Sequence, residues 1–125
     1  MVRGDDGVDE LSLSCPSKVI EVNGTSLSEF YWHPSDFGLA VANRGELFAD
    51  SPTSSANCIR AVLNGERGAC RDAVVLNAAC ALWISGVSDE PRECAHKAQA
   101  AIDSGAAKEL VVKLGNLSHG RLVAT

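Results

Sequence analysis

The hydrophobic pattern of the chain changes from short strand-like runs near its start to helical spacing in its second half. Residues 18–22 and 26–32 carry β-branched and aromatic side chains in two short runs. A turn that begins with Asn23 and Gly24 separates these runs. Because both residues tolerate the positive φ angles of a type I′ turn, this arrangement predicts a β-hairpin.

Four helices are predicted after the hairpin, from the apolar spacing and from residues that typically begin or end a helix. They span residues 56–63, 71–85, 89–103 and 106–114. Ser55 and Ser88 are the predicted N-caps of the first and third helices. The second helix is apolar on nearly every side and ends at Gly86, which is typical of a core helix. The predicted inner stripe of the third helix is Ala95, Ala98 and Ile102.

The segment between the hairpin and the first helix, residues 33–55, shows no sustained period and is punctuated by glycine and proline. It is predicted to be loop, with one helical turn at residues 35–39.

Composition and charge narrow the class of protein. The length of 125 residues fits one domain. The net charge of −5, without a cluster of Lys or Arg, argues against a nucleic-acid partner. No apolar run reaches the roughly eighteen residues of a membrane span, and the first residues lack the apolar region of a signal peptide. We therefore expect a cytoplasmic protein without a membrane partner.

The spacing of cysteine and histidine favours no metal or redox site. The five cysteines contain no Cys-x-x-Cys pair, so neither a zinc site nor a redox motif is indicated. Four of them lie in Ala-rich, apparently helical segments, where a free thiol behaves as a small buried hydrophobe. We expect free core thiols at Cys58, Cys70, Cys80 and Cys94. The three histidines show no spacing typical of a catalytic triad.

The candidate chemistry lies in an acidic stretch at residues 3–11. Two glycines and four carboxylates (Asp5, Asp6, Asp9 and Glu10) occupy these nine positions, a composition suited to a loop with oxygen ligands. Magnesium is often held by one or two carboxylates together with the phosphates of a substrate. By itself, the pattern also fits a solvated acidic turn that binds nothing.

Several stretches, in order and with matching spacing, resemble the C-terminal part of the large domain of the anthranilate phosphoribosyltransferase family, which is of the glycosyltransferase family 3 type. The matching stretches are residues 4–11, 34–38, 60–68, 71–79 and 101–107. Each is weak alone, but together they cover essentially the whole chain. Arg3 departs from the family pattern, in which His often precedes the matching glycine.

The resemblance implies an α/β fold. Residues 1–125 would form a single partial domain, the C-terminal portion of a mostly parallel sheet covered by helices, here a β-hairpin followed by about four helices. The family's N-terminal helical domain and Gly-rich pyrophosphate loop have no counterpart in these residues. The complete enzyme would be a homodimer through that N-terminal domain.

The resemblance also implies a chemistry. The family transfers the phosphoribosyl group from phosphoribosyl pyrophosphate to anthranilate, in tryptophan biosynthesis, with Mg²⁺ as cofactor. Asp9 and Glu10 would be the magnesium ligands, and no catalytic or substrate-binding residue is assigned. We expect the isolated chain to be inactive because it is truncated. Two alternatives stay open: a non-catalytic binding or assembly module of the same family, or a pentosyltransferase of the pyrimidine nucleoside phosphorylase type.

Three features of the predicted helices and strands are interpreted as structural. Asn77 is expected to be satisfied by neighbouring backbone or a loop. Arg71 and Asp72 are expected to cap the second helix or to pair locally. Trp32 and Trp83 are expected to be packing residues.

Overall fold

The computed structural model describes residues 1–47 and 49–122. Three strands come first, followed by two short 3-10 turns and four α-helices. The strands are β1 (Val2–Gly4), β2 (Ser17–Asn23) and β3 (Ser26–Trp32), the 3-10 turns are Pro34–Phe37 and Arg44–Leu47, and the helices are α1 (Pro52–Leu63), α2 (Ala69–Ile84), α3 (Pro91–Asp103) and α4 (Ala106–Leu122). The predicted α/β class, with a hairpin followed by four helices, is confirmed.

The three strands form one sheet in the order β1, β2, β3, and both strand pairs are antiparallel. The predicted hairpin closes at the pair Asn23↔Ser26, with Gly24 at φ +61°. Strand β1 was not predicted, because three residues are too few to show a period. The parallel strands that the resemblance implies for the whole family domain are not among the described residues.

Several helix boundaries differ from the prediction, two of them because the capping residue was misassigned. Helix α1 begins at Pro52, because the Ser51 side chain accepts the Ser54 N–H as the N-cap. The predicted cap at Ser55 is therefore wrong. The N-cap of α3 is Glu90, and not the predicted Ser88. Helix α4 continues from the predicted residue 114 to residue 122.

The core is formed by residues of β2, β3 and helices α1 to α3, together with residues of the segments 11–13 and 37–39. Val75, Leu76 and Ala79 of α2 are buried, as is the predicted inner stripe of α3, Ala95, Ala98 and Ile102. Trp32 of β3 meets Trp83 of α2 edge to face, with ring centroids 4.9 Å apart. Such aromatic pairs add to the stabilisation from burial alone, so both tryptophans have the predicted packing role.

The cysteine prediction is wrong for two of the four helical residues. A disulfide joins Cys58 of α1 to Cys70 of α2, and so links these consecutive helices. Cys94 is a buried free thiol, as predicted, while Cys80 is free and half-buried. Burial raises the pKa of the Cys80 thiol, which keeps this group protonated and less nucleophilic.

A long-range ion pair connects the start of α2 to the end of α3. The side chain of Arg71 is 1% exposed, and its Nη1 lies 2.8 Å from Oδ1 of Asp103. The same nitrogen donates to the Gly65 carbonyl at 3.4 Å. Arg71 therefore has the expected local contact and, in addition, a distant ion-pair partner that was not predicted. The hydrogen bond from Arg71 holds the pKa of the Asp103 carboxyl below its usual value, despite some desolvation.

Candidate functional site

The acidic stretch forms a tight loop between β1 and β2. The Gly4 N–H donates to the Val8 carbonyl at 3.0 Å, and the Gly7 N–H donates to the Gly4 carbonyl at 2.9 Å. A Cβ atom at Gly4 would lie 2.5 Å from Oδ1 of Asp6 and 2.8 Å from Cβ of Ser12. Glycine is therefore required at this position for the loop to close on itself.

Asp6 holds the loop together from the inside. Its Oδ2 accepts the Ser12 hydroxyl at 2.9 Å and its Oδ1 accepts the Val8 N–H at 3.4 Å. Burial raises the pKa of the Asp6 carboxyl, but these hydrogen bonds and the nearby charge of Arg44 outweigh it, so the pKa lies below its usual value. Asp6 is thus an ionised structural carboxylate with its oxygens already engaged.

Asp9 and Glu10, the predicted ligand pair, lie at the solvent-facing end of the same loop. Both are exposed, and neither forms a hydrogen bond or ion pair with another described residue. Glu10 also lines a surface cavity of about 280 Å³. The remaining lining residues come from the loop, from the segment around the second 3-10 turn and from α2: Asp6, Val8, Leu11, Ser12, Leu13, Ser14, Arg44, Leu47, Ala49 and Ala73.

Helix α2 fixes the residue that follows this pair. The Leu11 N–H donates to Oδ1 of Asn77 at 2.9 Å, and Nδ2 of Asn77 donates to the Leu11 carbonyl at 3.1 Å. A further bond from Nδ2 of Asn77 to the Ala73 carbonyl, at 3.1 Å, fixes the amide on its own helix. The expectation that loop backbone satisfies Asn77 is confirmed, and the bonds hold the residue that directly follows the acidic pair.

Arg44 brings a positive charge to the acidic loop from 38 residues away. Its Nη1 donates to the Asp6 carbonyl at 3.1 Å, and its side chain lines the same cavity as Glu10. Sequence reasoning missed this residue, because it lies in a loop segment without a motif or period. Only the folded chain shows that it contacts the acidic loop at Asp6.

The number and type of free ligand side chains determine which metal ion this loop could bind. In residues 1–47 and 49–122, no three or more His, Cys, Asp or Glu side chains are grouped to hold a metal ion. Two exposed carboxylates cannot form a closed all-protein site. They do fit magnesium, which keeps several waters and is commonly shared between one or two carboxylates and substrate phosphates.

Comparison with known protein families identifies the class of protein to which this fold and its acidic loop belong. Residues 1–108 match the glycosyl transferase family, a/b domain, and the chain belongs to this family. The resemblance stated from the sequence is confirmed.

The similar curated proteins are longer than this chain. An anthranilate phosphoribosyltransferase of Parvibaculum lavamentivorans is 44% identical over 121 residues, which cover 97% of this chain and 36% of that protein. The enzyme of the same name from Maricaulis maris is 36% identical over 96% of this chain and 35% of its own length. The chain therefore spans about a third of the length of these relatives.

Solved structures agree with the sequence comparison. The anthranilate phosphoribosyltransferase of Thermus thermophilus superposes with a TM-score of 0.80 at 30% identity, over 90% of this chain and 33% of that one. The Saccharomyces cerevisiae enzyme in complex with PRPP and Mg gives a TM-score of 0.78 at 26% identity, over 86% and 31% of the two chains. A further structure of the yeast enzyme contains 4-fluoroanthranilate. Magnesium is thus bound in a solved relative.

Among the described residues, no helix is both long and apolar enough to cross a membrane.

Proposed function

We propose that this chain corresponds to the C-terminal part of an anthranilate phosphoribosyltransferase, and that its acidic loop takes part in binding the magnesium complex of phosphoribosyl pyrophosphate. The names of the similar proteins support the reaction class, and the yeast complex with PRPP and Mg supports the ligand. Asp9 and Glu10 are the residues of this chain that would hold the metal.

The observation that carries the proposal is the contrast within one loop between engaged and free carboxylates. Asp6 is bonded to Ser12 and Val8, whereas the carboxylates of Asp5, Asp9 and Glu10 have no protein partner among the described residues. Of these three, Asp9 and Glu10 are the adjacent pair that the family resemblance marks as metal ligands. The residue after the pair is held on α2 by Asn77. A free pair on a fixed loop is suited to meet a metal-bound ligand without reorganisation of the backbone.

In phosphoribosyl transfer, pyrophosphate leaves the anomeric carbon and carries the negative charge that develops. Bound magnesium supplies electrostatic stabilisation of that charge and orients the leaving group. The carboxylates of Asp9 and Glu10 would hold this complex on the loop, while Asn77 bonds to Leu11 and Asp6 bonds to Ser12 and Val8 within it. The acceptor anthranilate has no assigned residue in this chain.

We expect no turnover by the 125-residue chain alone, because it spans about a third of the length of its relatives. Loss of positioning groups removes many orders of magnitude of rate. Adding the remaining, N-terminal portion of the Parvibaculum relative in trans is expected to restore conversion of anthranilate. The conversion is measured as the loss of anthranilate fluorescence with PRPP and magnesium present. Turnover by the isolated chain would contradict the proposed division.

The metal role is tested by binding. Magnesium-dependent binding of inorganic diphosphate to the 125-residue chain is measured by ³¹P NMR, with the Mg²⁺–diphosphate mixture without protein as reference. The double variant Asp9→Asn with Glu10→Gln is expected to lose the protein-dependent change. The matched control is Glu21→Gln with Glu109→Gln, which removes the same charge from β2 and α4. Equal binding by both double variants would exclude the acidic pair and favour a non-catalytic module.

A further inference from the structure

Arg44 is an exposed arginine that is anchored on a distant part of the chain. It lies at the start of the second 3-10 turn, yet its Nη1 donates to the Asp6 carbonyl inside the acidic loop. One hydrogen bond therefore joins the segment around residue 44 to the loop that carries Asp9 and Glu10. The side chain is exposed, so a ligand in the cavity can reach it.

Most of the hydrogen-bonding capacity of Arg44 is unused. A guanidinium has five N–H donors, and the bond to Asp6 uses one nitrogen. Within the described residues, Nε and Nη2 have no partner, and no carboxylate forms a salt bridge with Arg44. The neighbouring acid, Glu46, accepts the Asn43 N–H at 3.1 Å instead. The anchored guanidinium thus offers free, planar donors to the cavity.

The cavity combines this cation with Glu10 and Asp6 on its lining, while Asp9 does not line it and is adjacent to Glu10 in the sequence. A metal-bound diphosphate has two kinds of oxygen, those that coordinate the metal and those that need hydrogen-bond donors. Carboxylates can serve only the metal, because they repel the remaining phosphate oxygens. Arginine binds phosphate through parallel N–H bonds, which a carboxylate site otherwise lacks. The volume of about 280 Å³ is at the small end for ligand sites, which suits a diphosphate group.

From these observations we propose that Arg44 binds the phosphate oxygens of the diphosphate group that Asp9 and Glu10 hold through magnesium. This inference rests on the proposed function and adds a residue to it. Magnesium and diphosphate then bind as one complex. The carboxylates bind its metal ion, and Arg44 binds its phosphate oxygens.

The test uses the full 125-residue chain with inorganic diphosphate and Mg²⁺, and ³¹P NMR measures the binding of the diphosphate. Arg44→Gln is expected to weaken magnesium-dependent diphosphate binding by about tenfold to a hundredfold, the usual range for loss of a charged hydrogen bond. Arg44→Lys is expected to recover binding in part, since lysine keeps the charge but not the planar donors. The matched control is Arg60→Gln, because Arg60 is also exposed and also makes one Nη1 hydrogen bond, to Asn57.

A second readout separates ligand contact from support of the loop. Binding of a paramagnetic substitute, Mn²⁺ without diphosphate, is measured by water proton relaxation. Arg44→Gln is expected not to lower Mn²⁺ affinity, since it removes a positive charge near the carboxylates, whereas Asp9→Asn with Glu10→Gln lowers it. A parallel loss of Mn²⁺ affinity in Arg44→Gln would show that Arg44 acts only through the loop and would overturn the proposal.

Failure of this inference and failure of the proposed function give different results. If Arg44→Gln binds Mg²⁺–diphosphate as the wild type does while the Asp9 and Glu10 variant does not, the role of Arg44 is overturned and the metal pair stands. If the wild-type chain shows no magnesium-dependent binding, or the pair variant retains it, both proposals are overturned.

Discussion

Asn77 and Leu11 are joined by two opposed hydrogen bonds across 66 residues of sequence. The Leu11 N–H donates to the Asn77 amide oxygen at 2.9 Å, and the Asn77 amide nitrogen donates to the Leu11 carbonyl at 3.1 Å. Both backbone groups of a buried loop residue are therefore satisfied by one side chain of a core helix. The acidic pair directly precedes Leu11, so we expect the position of Asp9 and Glu10 to depend on α2.

Replacing Asn77 by alanine is expected to weaken both the fold and the site. The N–H and carbonyl of Leu11 lose their partner, and an unsatisfied buried polar group costs about 1–3 kcal/mol. Urea unfolding should show a reduction of this size in the free energy of unfolding, and magnesium-dependent diphosphate binding should fall in the folded variant. Asn57→Ala, on the exposed face of α1, is the control and should change neither. Unchanged binding in a folded Asn77→Ala variant would show that the bonds between Asn77 and Leu11 do not position the pair.

Alanine at Gly4 should disturb the acidic loop directly. The added methyl group would lie 2.8 Å from Cγ2 of Val8 and 2.5 Å from Oδ1 of Asp6, closer than non-bonded contact allows. Such overpacking typically costs about 1–3 kcal/mol, measurable by urea unfolding. Gly45→Ala is the matched control, since its nearest neighbour, Oδ1 of Asn43, would be 3.7 Å away. Equal stability of the two variants would show that the loop can open without cost.

The Arg71–Asp103 pair should make stability sensitive to acid. The hydrogen bond from Arg71 lowers the pKa of Asp103 in the folded state below the usual 3.8. A carboxyl with a depressed folded pKa stabilises the protein above its unfolded pKa, and this contribution is lost as the pH falls through the folded value. Asp103→Asn is therefore expected to lower the melting temperature at pH 7, with a difference from wild type that shrinks towards pH 3.

The control for this pH dependence is Asp50→Asn, at an exposed carboxylate without a partner among the described residues. Melting curves between pH 3 and pH 7 should superpose for this variant and the wild type. A pH-independent gap between Asp103→Asn and wild type would mean that ionisation of Asp103 is not what stabilises the pair.

The disulfide between α1 and α2 predicts a specific thiol count. Alkylation of the denatured, unreduced protein should label Cys15, Cys80 and Cys94, and leave Cys58 and Cys70 unlabelled until a reductant is added. Mass spectrometry of tryptic peptides distinguishes the two groups. In the chain-entropy view, closing a loop of this length stabilises a protein by up to about 3 kcal/mol, so Cys58→Ser should unfold at lower urea concentration. Five labelled thiols without reductant would contradict the crosslink.

Local signals in the sequence determined the hairpin, the four helices and the acidic loop. Asn23 and Gly24 specify a tight turn through their own backbone preferences, and helical spacing is visible within a few turns of chain. The family resemblance also belongs to the sequence, because it depends on the order and spacing of short motifs. Asp9 and Glu10 were selected in this way, and their ligand role stays a prediction.

Capping residues and short strands were less predictable. Ser51 and Ser55 are both good N-caps, and only the Ser51–Ser54 hydrogen bonds of the folded chain decide between them. Strand β1 has three residues, and it forms because β2 supplies its partners.

Only the tertiary structure decided the contacts that connect distant segments. Arg44 meets the acidic loop across 38 residues, Asn77 meets Leu11 across 66, and Arg71 finds Asp103 at the far end of α3. The period of apolar residues indicates which face of a helix or strand is buried. It carries no information on which polar side chain of another element will form a hydrogen bond with a buried polar group. That pairing is set when the helices and sheet pack, because most buried polar groups then find a partner.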